Sequence, residues 1–278
     1  VLLPTAETRS LLNLSTIRGF NTNNRGLRTL IVGDDIRQIF IFHSPTLETL
    51  FYQYTNLQEA PITLVAVFDG PGRPAVKRGI RRIRDNPLWV TTRVKELLTA
   101  LGLHFYTAPG EAEAELAQLN KLGFIDAIIT EDSDAIVFGA KLLIRTTGFV
   151  RLKPYVTQAA QIYASEAISC HPLYLDEDGL LIFALLVGGD YDDGLSRCGP
   201  KIAHGLARCG FGRDLRQILT NFEGAKQEQE LALWRVALTN ELRTNLSGLL
   251  DKRHRKLEIP DDFPNVDVVE LYIDPLTS

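Results

Sequence analysis

The chain is poor in sulfur, with no methionine and only three cysteines among its 278 residues. Cys170, Cys198 and Cys209 form no closely spaced pair and leave an odd thiol, which argues against a disulfide framework and favours a reducing, intracellular environment. Because the sequence begins at Val1 and has no methionine, we expect a further N-terminal stretch to precede it.

Long apolar segments are also missing. The longest apolar run, at residues 180–187, is too short to cross a bilayer, and the first residues lack the order of a secretory signal. The sequence therefore predicts a soluble protein with no role in a membrane.

Neither sign of charge dominates the chain. Its composition, 45% hydrophobic and 23% charged, is typical of a globular protein that buries its own core. The net charge of −4 argues weakly against a nucleic-acid-binding protein. However, a net charge averages over regions of opposite sign, so the distribution of charge decides.

Short apolar segments alternate with segments of helical periodicity. The predicted strands are residues 27–32, 62–68 and 125–130, and the predicted helices are residues 46–57, 88–101 and 111–122. This alternation predicts an α/β fold with a central, mostly parallel sheet flanked by helices. From residue 177 to about residue 250 we expect mostly helices, followed at 252–278 by a loose surface strap with no chemistry.

Each predicted strand runs directly into acidic residues. Asp34 and Asp35 follow the first strand, Asp69 the second, and Asp132 and Asp134 the third. A single Asp after a strand is usually a turn former or a helix cap. Since the carboxyl ends of parallel strands meet at one crevice, the coincidence of three such ends predicts one acidic pocket.

A second group of acids begins the helix predicted at residues 111–122. Pro109 and Gly110 break the preceding chain. Glu111 and Glu113 are two residues apart, so they converge only if Glu111 precedes the first helical turn. Glu115 is interpreted as an acid that complements the helix dipole, an effect worth about 0.3–1 kcal/mol.

So many carboxylates in one pocket predict bound cations. Like charges at close range raise one another's pKa, and divalent ions remove that penalty. Oxygen donors without histidine or cysteine nearby favour Mg²⁺ or Mn²⁺ over zinc. Two such ions are the usual device for cleaving phosphodiesters.

Two further features suit a phosphate-rich substrate. A group of basic residues lies between Asp69 and Glu111 and could attract phosphate: Arg73, Lys77, Arg78, Arg81, Arg82, Arg84, Arg93 and Lys95. For most of them an ordinary solvated surface is an equally good explanation. Gly199, Pro200 and Lys201 predict a turn into a helix N-terminus, which offers N–H groups to phosphate but is more often only a helix start. Asp192 and Asp193 are interpreted as loop or capping acids.

Four stretches in order resemble the XPG/flap-endonuclease superfamily. They are residues 67–71 with Lys77 and Arg78, residues 108–115, residues 131–134, and residues 188–191 with 198–201. The short stretch between Asp69 and Glu111, together with residues 207–212, is most similar to the fungal GEN/Yen-type Holliday-junction-resolvase branch.

The resemblance implies an architecture and an activity. It implies a PIN-like 5′-nuclease core at residues 1–187 and a helix–two-turn–helix DNA-binding and C-terminal helical region at residues 188–278. The implied activity is structure-selective cleavage of Holliday junctions or 5′-flaps, leaving a 5′-phosphate and a 3′-hydroxyl. The implied cofactors are two Mg²⁺ ions, which Mn²⁺ can replace, and a K⁺ ion at the helix–two-turn–helix. The implied partner is branched DNA, bound in the nucleus by a monomer that dimerises on junctions.

The resemblance also implies roles for single residues. The metal-binding carboxylates would be Asp35, Asp69, Glu111, Glu113, Asp132, Asp134 and Asp190. Lys77, Arg78 and Arg82 would act on the scissile phosphate, while Arg81, Gly199, Pro200 and Lys201 would hold DNA.

The sequence departs from the family at its first motif. The family has Val-Asp there, whereas this chain reads Val32-Gly33-Asp34-Asp35, so either Asp can be the ligand. Asp35 is favoured because the branch often has Gly two residues before the ligand, although an insertion at this point could impair the site. The family's extreme N-terminus, which lies near the metals, is also absent.

Two other functions remain open. One is a catalytically silent nuclease-like module that binds nucleic acid or a protein, but such relatives lose carboxylates and here every position is filled. The other is a nucleotidase or phosphatase for small substrates, which would need neither the basic segment nor the Gly199–Lys201 turn.

Overall fold

The computed structural model describes residues 2–20, 29–35, 47–74, 76–77, 80–81, 88–152, 155–170 and 172–278. Arg78 and Arg82, and the predicted strand residues 27–28, lie outside these ranges.

The chain forms two compact units. The sheet unit consists of Thr5–Ala75, Arg82–Ser165 and Pro275–Ser278, and the helical unit consists of Val1–Pro4, Val76–Arg81 and Glu166–Asp274. The domain boundary predicted after residue 187 divides the chain by expected function, whereas these units are defined by packing. The domain boundary therefore stays a prediction.

The sheet unit is built on one mixed sheet. Among the described residues it has seven strands, in the order β1-β9-β8-β7-β2-β3-β6. The strands are β1 (Glu7–Ser10), β2 (Leu30–Asp35), β3 (Ile62–Phe68), β6 (His104–Thr107), β7 (Ala127–Ile129), β8 (Leu142–Leu152) and β9 (Tyr155–Ala164). A separate pair, β4 (Val76–Lys77) and β5 (Ile80–Arg81), is antiparallel.

The predicted parallel sheet is confirmed. β2 pairs in parallel with β3 and β7, β3 with β6, and β7 with β8. The antiparallel edge formed by β8, β9 and β1 was not predicted. Its strands carry many polar residues, and their apolar runs are no longer than three residues, shorter than the runs that indicate buried parallel strands.

Helices cover both faces of this sheet. They are α1 (Leu11–Phe20), α2 (Leu47–Gln58), α3 (Leu88–Ala100), α4 (Ala112–Leu122) and the short α5 (Asp134–Val137). Leu30, Val32 and Ala66 point into a core shared with Leu50 and Tyr54 of α2. The opposite face of β2 packs against α4, since a Cβ added at Gly33 would lie 2.2 Å from Leu116 Cδ2.

The helical unit contains α6 (Ser165–Ser169) in large part, α7 (Glu177–Val187), α8 (Pro200–Ala207), α9 (Phe211–Asn221), α10 (Gly224–Thr244) and α11 (Val266–Ile273). The expected mostly helical region is confirmed. The prediction of a loose strap at 252–278 is wrong in part, because this segment contains a helix. Asn265 caps α11 through its side chain, and Val269 and Tyr272 of that helix are buried. No helix of the described residues is long and apolar enough to span a membrane.

Candidate metal centre

The end of β2 separates its two adjacent aspartates. Both are the last residues of the strand, whereas the sequence predicted that they follow it, and both are buried, with exposures of 3% for Asp34 and 2% for Asp35. Successive side chains of a strand point to opposite faces. Asp34 therefore shares the face of Val32, towards α2, and Asp35 shares the face of Gly33, towards α4.

A buried tyrosine holds Asp34. The Tyr54 hydroxyl donates a hydrogen bond of 2.7 Å to Asp34 Oδ2. Burial raises the pKa of Asp34 to about 6, although the Tyr54 hydrogen bond partly opposes the increase. Burial, followed by the charge of Asp34, likewise raises the pKa of Tyr54. Tyr54 lies 20 residues from Asp34 on another element, so no local sequence pattern identified the pair.

Asp69 meets the N-terminus of α4. In the register of β2 and β3, Asp35 is opposite Val67, and Asp69 follows two residues later. Asp69 Oδ1 accepts a hydrogen bond of 3.0 Å from the Ala112 N–H, and Asp69 Oδ2 accepts one of 3.0 Å from Arg73 Nη1. The carboxylate therefore lies at the positive end of the helix dipole.

The chain after β3 is joined to the chain before α4 by backbone hydrogen bonds. Gly70 N donates to Gly110 O at 2.7 Å, and Gly72 N donates to Pro109 O at 3.0 Å. Gly70 permits this approach, because a Cβ there would lie 1.7 Å from Ala108 O. These bonds fix the position of Asp69 relative to Glu111.

Glu111 is the N-cap of α4. Its backbone is extended, with φ −81° and ψ 139°, and the helix begins at Ala112. The expectation that Glu111 precedes helical geometry is confirmed. Glu111 and Glu113 are both buried, which is rare for carboxylates unless they are paired or bind a cation.

Glu115 has a larger structural role than the dipole interpretation predicted. It is 1% exposed and accepts hydrogen bonds from the Tyr106 hydroxyl at 3.0 Å, from Ser278 N at 2.9 Å and from the Ser278 hydroxyl. Burial, then the charge of Glu115, raises the pKa of Tyr106. Glu115 thus anchors residues 275–278 beside α4.

The third acidic strand end leads into α5. Asp132 Oδ1 accepts a hydrogen bond of 2.9 Å from Asp134 N, and Asp132 N donates one of 3.1 Å to Thr130 Oγ1. α5 packs against α4. Both aspartates are half-buried, and the packing of α5 on α4 puts the start of α5 on the α4 side of the sheet.

We name Asp35, Asp69, Glu111, Glu113, Asp132 and Asp134 the acidic face. Their potential metal donors are all carboxylate oxygens, which suit Mg²⁺ or Mn²⁺. Across the described part of the chain, no three histidine, cysteine, aspartate or glutamate side chains form a group arranged to hold an ion. Oxygens of Asp69 and Asp132 instead accept hydrogen bonds from the backbone and from Arg73. The chemistry of the donors fits the metal, and side-chain rotations would have to turn these oxygens towards it.

Other predicted residues lie in the helical unit. Asp190 is half-buried in the loop after α7, Lys77 is in β4, and Arg81 is in β5. Gly199 is the N-cap of α8, Pro200 is its first residue and Lys201 is exposed. The loop from α7 to α8 turns at Gly188 and Gly194, whose positive φ angles of 91° and 76° favour glycine.

Three comparisons place the chain among known proteins. Residues 102–190 match the family model of the XPG I-region. The DNA repair protein RAD2 of Saccharomyces cerevisiae is 32% identical over 183 residues, which are 66% of this chain and 16% of RAD2. The Holliday junction-resolving enzyme GEN1, solved with product DNA and Mg²⁺, is 31% identical and superposes with a TM-score of 0.76 over 100% of this chain and 63% of that chain.

The chain is similar in sequence and fold to nucleases of the XPG type. A second structure, of the junction-resolving enzyme GEN-1 binding potassium, is also 31% identical, with a TM-score of 0.76 over 100% of this chain and 64% of that one. The resemblance to GEN-type resolvases is therefore confirmed at the level of the fold. The chain spans about a sixth of RAD2 and somewhat under two thirds of the GEN1 chain.

Proposed function

We propose that the chain is a structure-selective, Mg²⁺-dependent endonuclease that hydrolyses phosphodiester bonds in branched DNA during repair and recombination. One observation carries the proposal: the acidic ends of β2 and β3 reach the side of the sheet that packs on α4, where Glu111 and Glu113 begin the helix. The similarity to GEN1, solved with product DNA and Mg²⁺, supports the choice of substrate.

Six carboxylates of the sheet unit would hold the metal: Asp35, Asp69, Glu111, Glu113, Asp132 and Asp134. Asp190, described in the helical unit, is proposed as a seventh. Bound divalent ions would supply a hydroxide nucleophile at neutral pH and stabilise the leaving oxygen, and two ions are the usual number. Asp34 takes no part, because its carboxylate faces Tyr54.

The residues of the chain prepare the site for a polyanion. The hydrogen bonds from Gly70 to Gly110 and from Gly72 to Pro109 fix the spacing of Asp69 and Glu111. Arg73 holds one Asp69 oxygen until a stronger cation competes for it. Lys77, Arg78 and Arg82 are proposed to attract the scissile phosphate, and Arg81 to contact the neighbouring DNA.

A second contact would bind the duplex at some distance from the cleaved bond. Gly199, Pro200 and Lys201 begin α8, whose first N–H groups and exposed lysine suit a backbone phosphate. The two-turn loop that precedes α8 is proposed to bind K⁺, which the potassium-bound GEN-1 structure supports. We further propose nuclear location, a monomer in solution and a dimer on junctions.

One observation favours a second candidate, a catalytically silent module that binds nucleic acid. The described carboxylates do not form a group arranged to hold an ion. This candidate predicts DNA binding without cleavage under any metal.

Cleavage of labelled four-way junction, 5′-flap and linear duplex with Mg²⁺ tests the proposal. Wild type should cut branched DNA, and Asp132→Asn should lower the rate by at least about a hundredfold, since metal-site changes cost that much or more. Asp262→Asn, at an exposed residue outside the site, is the matched control and should keep the wild-type rate.

Equal cleavage by wild type and Asp132→Asn would remove Asp132 from the metal site. Cutting of flaps but not junctions would place the activity outside the resolvase branch. Binding without cleavage by wild type would support the silent module.

A further inference from the structure

Five consecutive residues of the helical unit form a cationic segment that the function above does not use. Lys252, Arg253, His254, Arg255 and Lys256 follow α10, and we name residues 252–256 the basic loop. All of them except His254 are exposed. Such a run is notable in a chain whose net charge is −4.

The basic loop is folded against the end of α10. His254 N donates to Leu242 O at 2.6 Å, and Arg253 Nε donates to Thr244 O at 3.1 Å. His254 also contacts Asp251 Oδ1 at 2.9 Å, and the buried Leu257 anchors the far end. The backbone of the basic loop is therefore held in one arrangement, from which Lys252, Arg255 and Lys256 extend to the surface.

Three of those cations form no close ion pair within the described part of the chain. Lys252, Arg255 and Lys256 make none of the ion pairs found among them. Two carboxylates flank the loop: Asp251, whose pKa the His254 hydrogen bond lowers, and the exposed Glu258. Four cations against two carboxylates leave the segment positive at neutral pH.

The chain that enters the basic loop packs on α8, the helix proposed to hold duplex DNA. A Cβ added at Gly205 of α8 would lie 2.7 Å from Leu250 Cδ2 and 2.8 Å from Leu249 O, so the chain entering the loop packs on α8. Lys201 lies four residues before Gly205 and therefore on the same side of that helix. Four residues of helix, about 6 Å along the axis, separate them.

We propose that the basic loop binds the phosphate backbone of duplex DNA, extending the contact made by Gly199–Lys201. This proposal rests on the proposed function, because it takes DNA as the substrate. A partner that reads an extended basic peptide fits less well. It would need the loop to open and to lose the hydrogen bonds that Arg253 and His254 make to α10.

The test is the salt dependence of DNA binding without catalysis. Binding of a labelled duplex and a four-way junction is measured in EDTA for wild type and for K252Q/R255Q/K256Q, which leaves the Arg253 contact intact. The control R18Q/K121Q/K226Q removes three exposed cations elsewhere. Each lost phosphate contact reduces the slope of log affinity against log salt by about 0.9.

We expect the loop variant to lose about two to three from this slope and about tenfold in affinity at low salt. The control should stay within about twofold of wild type, and the charge-preserving K252R/R255K/K256R should restore the slope. An unchanged slope in the loop variant, with the melting temperature of wild type, would overturn the proposal.

Failure of the proposed function gives a different result. If wild type binds DNA but does not cleave it with Mg²⁺, the endonuclease activity is refuted, while a reduced slope still supports the loop. If wild type binds no DNA at all, both proposals fall.

Discussion

Asp34 and Asp35 are neighbours in sequence, yet they have different surroundings. Strand geometry sends Asp34 towards Tyr54 and the core, and Asp35 towards α4 and the other acids. A buried carboxylate with a tyrosine partner is a structural group, whereas one on the acidic face can bind a cation.

Metal affinity separates these two roles. Asp35→Asn should weaken Mn²⁺ binding about tenfold or more, because it removes a ligand charge. Asp34→Asn should change it by less than about threefold, because the amide oxygen can still accept the Tyr54 hydrogen bond. Titration of Mn²⁺ by electron paramagnetic resonance, without DNA, measures both, and the opposite ranking would make Asp34 the ligand.

The raised pKa of Asp34 predicts how stability depends on pH. Its pKa is about 6 in the folded protein against 3.8 for an unperturbed group, so the folded state holds the proton more tightly. Asp34 therefore costs nothing below about pH 4, and its cost grows as pH rises to about 6 and then stays constant. The full cost is about 3 kcal/mol, at about 1.4 kcal/mol per pKa unit.

Asp34→Asn should remove this cost. In EDTA, the variant should unfold at higher denaturant than wild type at pH 7, and the difference should vanish near pH 4. Chemical denaturation at both pH values measures it. A variant less stable than wild type at pH 7 would show that the charged form is favoured in the folded protein.

At the scale of elements, the connection from β3 to α4 sets the spacing of the acids. Gly70→Ala should lower the free energy of unfolding by about 3 kcal/mol, because its Cβ would meet the backbone oxygen of Ala108. Gly199→Ala is the matched control, since nothing lies within 4 Å of its Cβ, and it should cost no more than about 1 kcal/mol, the loss of a glycine N-cap. Urea denaturation compares them, and equal losses would refute the close approach at Gly70.

The sequence predicted those helices and strands whose bounds are set by neighbouring residues. The apolar run at 62–68 is β3, and Pro109 and Gly110 break the chain just before α4. The pairing of Tyr54 with Asp34 was not predictable, because it depends on α2 crossing one face of the sheet. α11 was missed because the surrounding prolines outweighed its short apolar run, although the Asn265 cap was a signal.

At the scale of the whole molecule, two compact units carry different parts of the proposed activity. The sheet unit presents the acidic face, and the helical unit presents α8 and the basic loop. Phosphate contacts supply affinity for any duplex, whereas the metal site supplies the reaction. We therefore expect the proposed selectivity for branched DNA to depend on residues of both units.

Competition between two DNA structures tests this account most directly. A labelled four-way junction and a linear duplex of the same sequence are mixed with wild type or Asp69→Asn, with Mg²⁺ or EDTA, and the products are treated with DNA ligase. The account predicts that only the junction is cleaved, and only by wild type in the presence of Mg²⁺. DNA ligase should reseal the products, because their ends carry a 5′-phosphate and a 3′-hydroxyl. Equal cutting of junction and duplex, or undiminished cutting by Asp69→Asn, would contradict it.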